Sequence, residues 1–169
     1  MFEVKEITAA SKADQYRQLA GQARHLVEGE RDMIANAANL ASLVYHTLPD
    51  LNWVGFYLLK GGELVLGPFQ GKPACIRIAL GRGVCGTAAI RRETVVVRDV
   101  DEFPGHIACD SASRSEIVVP LVAGDHLVGV LDVDSPIPAR FDEDDRAGLE
   151  TLARLFLEAS DLGRPPSGA

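Results

Sequence analysis

The stretch Trp53-Val-Gly-Phe-Tyr-Leu-Leu-Lys-Gly-Gly-Glu-Leu-Val-Leu-Gly-Pro-Phe69 decides the reading of the fold. Trp53 to Leu59 is aromatic and aliphatic and reads as a strand. Gly61-Gly62 is a turn, and Glu63 to Phe69 reads as the returning strand. A hairpin at this point makes the sheet antiparallel, and the flanking segments decide what covers it. Upstream the period is helical. A capped helix from Ser11 to about Gly29 carries Tyr16, Leu19, Ala20, Ala23 and Leu26 at helical spacing, and a second from Glu30 to Leu48 carries Met33, Ile34, Ala37, Leu40, Ala41 and Val44. Pro49-Asp50 ends it.

Downstream, Cys75 to Leu80 is expected as a third short strand. Gly81-Arg-Gly-Val-Cys-Gly opens a short helix, and Thr94 to Val97 is a strand. Val100 to Ser115 is a polar loop without periodicity. Ile117 to Val122 and Leu127 to Asp134 form a second hairpin across Gly124-Asp125. A last helix starts near Phe141-Asp-Glu-Asp, where acids suit a helix N-terminus, and turns Leu149, Leu152, Ala153 and Phe156 inward. The expectation is one α+β domain over residues 1–169, with 162–169 a frayed tail. Its central antiparallel sheet is flanked by the N- and C-terminal helices.

At 169 residues, 47% hydrophobic and 24% charged, the composition is that of an ordinary globular chain. The net charge of −7 argues against nucleic acid or an anionic membrane as partner, since both need clustered Lys and Arg. No secretory signal and no run of about 18 apolar residues is present, so the expected compartment is the cytoplasm, with reduced thiols.

Cys109 lies in Gly105-His-Ile-Ala-Cys-Asp-Ser-Ala-Ser-Arg-Ser-Glu116, a loop where a packing thiol has little reason to be. Arg114 or His106 would lower its pKa and Asp110 would raise it. Cys75 begins a strand. Cys85 opens the short helix, where unpaired amides favour a thiolate, while Ala88 and Ala89 nearby favour simple packing. Either could be a resolving thiol. No Cys-x-x-Cys spacing occurs, so neither a thioredoxin motif nor a zinc finger is expected. Three thiols with His106 could hold a metal, but none is expected.

Strand alternation puts Asp132 and Asp134 on one face, about 7 Å apart, in a row with Val128 and Val130. Glu116 joins that face if the connection around Gly124 has an odd number of residues and turns away if it is even. Crowded carboxyls raise one another's pKa and keep a proton near neutral pH. Trp53, Gly55 and Tyr57 alternate onto one face, where the rings are core or a pocket wall.

These residues resemble a known family. The segments Asn52-Trp-Val-Gly-Phe-Tyr, Gly67-Pro-Phe-Gln-Gly-Lys-Pro-Ala-Cys75-Ile-Arg-Ile, Gly81-Arg-Gly-Val-Cys85-Gly-Thr-Ala, Val97-Arg-Asp-Val, Cys109-Asp-Ser-Ala-Ser-Arg-Ser-Glu116-Ile-Val-Val-Pro and Leu131-Asp-Val-Asp-Ser-Pro136 are similar to the free methionine-(R)-sulfoxide reductases. The resemblance implies a GAF fold, a homodimer, no cofactor, and thiol-dependent reduction of free methionine sulfoxide with thioredoxin as reductant. By position it implies Cys109 as nucleophile and Cys75 as recycling thiol, with Cys85 as the alternative. It implies Glu116, Asp132 and Asp134 as substrate-binding acids and Trp53 and Tyr57 as the aromatic pocket. Two rivals are a GAF module that binds a small ligand such as a cyclic nucleotide, and a thiol redox sensor. The chain extends little past its last helix, which leaves no effector domain for the first to regulate.

Overall fold

The computed structural model describes residues 5–107 and 110–163. Helices α1 (Lys12–Val27) and α2 (Met33–Thr47) precede strands β1 (Trp53–Lys60), β2 (Glu63–Gly71) and β3 (Arg77–Ala79). Helix α3 (Gly83–Arg91), strands β4 (Val95–Val97), β5 (Ser115–Ala123) and β6 (His126–Ser135), and helix α4 (Glu143–Ala159) complete the chain. The sheet order is β3-β2-β1-β6-β5-β4, and every neighbouring pair is antiparallel. The α+β class and the helix-flanked antiparallel sheet expected from the sequence are both present.

The sheet has two apolar faces. On one, Val54, Phe56, Ile117, Val119, Leu121, Leu131 and Val133 pack under α1, α2 and α4. On the other, Trp53, Tyr57, Val118 and Val130 meet Val84, Cys85, Ala88 and Ala89 of α3. Helix α4 begins with a capping box in which the Asp142 side chain accepts from the Asp145 N–H and Asp145 answers from the N3 position. Asp145 is fully buried yet well partnered. It accepts from Tyr16 Oη at 2.8 Å, Arg140 Nη1 at 2.9 Å and Lys12 Nζ at 2.7 Å, so it ties α1 to the start of α4.

Several boundaries differ from the sequence reading, each for a local reason. Helix α2 starts at Met33 and not at Glu30, because Asp32 caps it by accepting from the Ala35 N–H at 2.8 Å. The Glu30 carboxylate occupies the N–H groups of Arg31 and Asp32 before the helix begins. Strand β3 is shorter than expected, and Cys75 lies ahead of it. Pro73 has no N–H to offer a ladder, and the Cys75 carbonyl is taken by the Tyr57 hydroxyl at 2.9 Å. The loop from Val100 contains one 3-10 turn, Val100–Glu102. The tail expected at 162–169 falls outside the described residues from 164 onward.

Two bulges set the registers. In the β5–β6 hairpin Ala123 faces His126 across the two-residue turn, but beyond Leu121 and Val122 the pairing slips by one. The extra residue is Val128 on β6. In β1–β2 the slip lies between Gly55 and Tyr57, and the extra residue falls on β2 near Gly67-Pro68.

Candidate active site

The bulge at Val128 brings the acids together. A two-residue turn alone is an even connection and would have set Glu116 opposite Val133, facing the helix-side core. With one residue added on β6, Glu116 faces Asp134 and Val118 faces Asp132. All three carboxyls therefore share one face. Val128 itself is corrected by the same observation. It does not continue the row of Asp132 but packs with the opposite core, while Leu127 packs with the site-side cluster.

Strand β1 supplies the adjoining wall. Trp53 pairs with Asp134, Gly55 with Asp132 and Tyr57 with Val130, so both rings lie beside the acids. Trp53 stacks on Tyr57 at 5.9 Å between centroids and on Phe69 at 5.3 Å. Gly55 is required between them, since a Cβ there would lie 2.4 Å from Trp53 Cη2 and 2.5 Å from Phe69 Cβ. Phe69 was not singled out in the sequence. The β2 bulge puts it on this face, and the Gly67-Pro68 pair inside a strand is the signal that could have revealed it.

Helix α3 closes the site from above. The Cys85 thiol donates to Asp132 Oδ2 at 3.2 Å, and Cys85, Glu116 and Asp132 are only 4–6% exposed. Burial, reinforced by the neighbouring acids, raises the carboxyl pKa of Glu116, Asp132 and Asp134 well above the carboxylate range. The same two causes raise the Cys85 thiol. The expectation that the helix N-terminus would favour a Cys85 thiolate is thus overturned, because desolvation and the negative neighbours outweigh the amides. His106 Nε2 lies 3.3 Å from Glu116 Oε2, and burial lowers its pKa so that the ring is neutral. This contact was not foreseen; the sequence offered His106 only as a modulator of Cys109 or a metal ligand.

Ile78, Arg82, Val84, Cys85, His106, Ile107, Asp110, Ser113, Glu116, Asp132 and Asp134 line one small pocket. Cys109 lies outside the described residues, but Ile107 and Asp110 on either side of it line this pocket. Asp110 accepts from the Ala112 N–H at 2.9 Å, Lys72 Nζ at 3.3 Å and Asn52 Nδ2 at 3.3 Å, which hold its carboxyl below the ordinary range. Arg114 is engaged elsewhere, at 3.1 Å from Asp99. The segment after β2 is bound to the same wall: Trp53 Nε1 donates to the Lys72 carbonyl at 3.1 Å and Tyr57 Oη to that of Cys75. Cys75 is disulfide-bonded, whereas Cys85 is a free thiol.

The arrangement is a small pocket lined by three carboxyls of raised pKa. The stacked rings of Trp53, Tyr57 and Phe69 pack beside the acids and are not among its lining residues, which corrects the expectation of an aromatic pocket wall. It can hydrogen-bond a polar oxygen and deliver a proton to it.

The GAF domain model matches residues 16–159. Free methionine-R-sulfoxide reductase of Escherichia coli is 51% identical over 142 residues, covering 84% of this chain and 86% of that protein. The structure of free methionine-R-sulfoxide reductase from Neisseria meningitidis in complex with its substrate superposes with a TM-score of 0.90 at 47% identity, over 94% of this chain and 95% of that one. A protein from Burkholderia vietnamiensis proposed to be a GAF sensor is 68% identical, with a TM-score of 0.86 over 89% of this chain and 96% of that one.

Proposed function

Because the chain belongs to the free methionine-R-sulfoxide reductases within the GAF-domain family, we propose that it reduces free L-methionine (R)-sulfoxide to methionine, with Cys109 as nucleophile. The observation that carries this reading is the buried trio Glu116, Asp132 and Asp134, whose carboxyls are pushed well above the usual carboxylate range by burial and by one another. A sulfoxide oxygen is a poor leaving group until it is protonated, and these acids can hydrogen-bond it and supply the proton.

In this mechanism the Cys109 thiolate attacks the sulfoxide sulfur while a carboxyl protonates the oxygen. The protonated oxygen then passes as hydroxyl from the substrate sulfur to the Cys109 sulfur as the S–O bond and the transient bond between the two sulfurs break. Methionine thus leaves with two electrons gained, and Cys109 becomes a sulfenic acid. The Cys75 thiol attacks that sulfur, water departs, and a Cys75–Cys109 disulfide remains. A thioredoxin-type dithiol reduces the disulfide and is itself oxidised, so each cycle consumes two electrons and two protons. Ile107 and Asp110, the described residues that flank Cys109 in the sequence, line the pocket with the acids, which supports the nucleophile role. The disulfide-bonded state of Cys75 and the buried, protonated state of Cys85 favour Cys75 over Cys85 as recycling thiol. Trp53 and Tyr57 pack behind the acids, and carboxyls left ionised hold the substrate ammonium. The same family membership supports a homodimer.

The test is thioredoxin-coupled NADPH oxidation with each diastereomer of free methionine sulfoxide. Turnover of the R form alone is expected, and silence with both would leave a binder or redox sensor. Cys109→Ser should abolish turnover. Cys75→Ser should yield about one methionine per chain with thioredoxin and then stall. Normal turnover in Cys109→Ser would sink the assignment.

A further inference from the structure

We propose that Cys85, Glu116 and Asp132 form a binding site for a single zinc-class divalent cation, with the ring nitrogen of His106 able to complete the ligand set. One ligand atom from each of the three residues lies within 4.8 Å of the others, and all three residues are buried. A tetrahedral zinc ion with bonds of about 2.0–2.3 Å spaces its ligands closer than this, so a contraction of about an ångström or less seats it. A second observation points the same way. Asp132 is 6% exposed, and no N–H or hydroxyl group among the described residues donates to its Oδ1, while its Oδ2 accepts from the Cys85 thiol and its carboxyl meets that of Glu116. A buried carboxyl oxygen without a donor lacks a positive group, and a cation supplies one.

The donor set selects the ion. One sulfur, two carboxylates and an imidazole suit zinc or cobalt, whereas magnesium prefers six oxygens and keeps its water. His106 Nε2 lies 3.3 Å from Glu116 Oε2, which brings an imidazole nitrogen to the same cluster. On the reductase reading, the ion would sit on the acids that take the substrate and so would inhibit; that consequence rests on the proposal above, and the site itself does not.

The experiment measures binding without turnover, so its failure is distinct from failure of the reductase reading. Oxidised protein is used, with a denaturing thiol count of one per chain, so that Cys85 is the sole thiol. Zn2+ competed against a chromogenic chelator should bind at one ion per chain. Co2+ should give a near-ultraviolet thiolate charge-transfer band. Cys85→Ser should remove the band, and Asp132→Asn or Glu116→Gln should weaken Zn2+ at least about tenfold. Millimolar Mg2+ should not compete. Circular dichroism checks that each variant is folded, and the two carboxyl variants keep the test open if Cys85→Ser is not. Absence of stoichiometric Zn2+ binding, or binding unchanged in the folded variants, would overturn the proposal.

Discussion

Asp132 is held by contradictory demands: it is buried like a core residue, yet it carries an ionisable group among other acids. Asn at this position keeps the shape and can still accept from the Cys85 thiol, but it cannot release a proton. Asp132→Asn is therefore expected to slow the reductive step by about 10²–10⁴-fold in a single-turnover measurement at saturating substrate. An unchanged rate would remove Asp132 from the acid role. The pH dependence has a defined sign. Because the folded-state pKa is raised above that of the unfolded chain, the stability linked to this group is complete below the usual carboxylate range and is lost as pH rises through the folded value. His106 acts in the opposite sense near neutrality, since its pKa is lowered. The informative quantity is thus the difference between proteins: Asp132→Asn should gain in Tm relative to the parent as pH increases from 5 to 8. Tyr57 makes a separate case. Its hydroxyl holds the Cys75 carbonyl, so Tyr57→Phe should cost about 1 kcal/mol and slow recycling of the oxidised enzyme more than the first reduction. Rapid-mixing traces that resolve the two phases would show equal slowing if Tyr57 only shaped the substrate pocket.

At the scale of the element, Val128 decides which way Glu116 faces. Deleting it should restore the register of the plain two-residue turn and push the Glu116 carboxyl into the core under α4. A buried acid without partners costs about 3 kcal/mol or more, which urea unfolding would register, and the single-turnover rate should collapse with it. A deletion variant with parental stability and rate would refute the register argument. This element also marks the limit of what the sequence made legible. The alternation around Trp53, Gly55 and Tyr57 and that of Asp132 with Asp134 could be read directly, because strand period is a property of neighbours in the chain. The meeting of Glu116 with Asp134 could not, since it depends on a bulge in a run of valines and leucines that nothing in the local pattern distinguishes. Phe69 was hidden for the same reason on β2. Cys85 was misjudged because the helix start is local, while the acids that raise its pKa come from β5 and β6.

At the scale of the molecule, the sheet separates stability from chemistry. Most of the apolar core lies on the face covered by α1, α2 and α4, where Phe56 and Phe156 meet at 4.7 Å between ring centroids. The acids and the Trp53–Tyr57–Phe69 stack lie on the other face, under α3 and the loop after the 3-10 turn. The buried side chains of the two faces form two separate clusters. Phe156→Ala should therefore remove about 3–5 kcal/mol of stability by opening a cavity, yet leave the single-turnover rate of the folded fraction near the parental value at low temperature. Trp53 is also buried and Trp53→Ala also costs stability, but it should weaken substrate binding as well, because Trp53 pairs with Asp134 and packs behind the acids. Comparing the two variants at matched folded fraction isolates the pocket contribution. If Phe156→Ala slowed reduction as much as Trp53→Ala, the helix-side core would be positioning the catalytic face through the strands, and the division of labour argued from the two-sided sheet would be wrong.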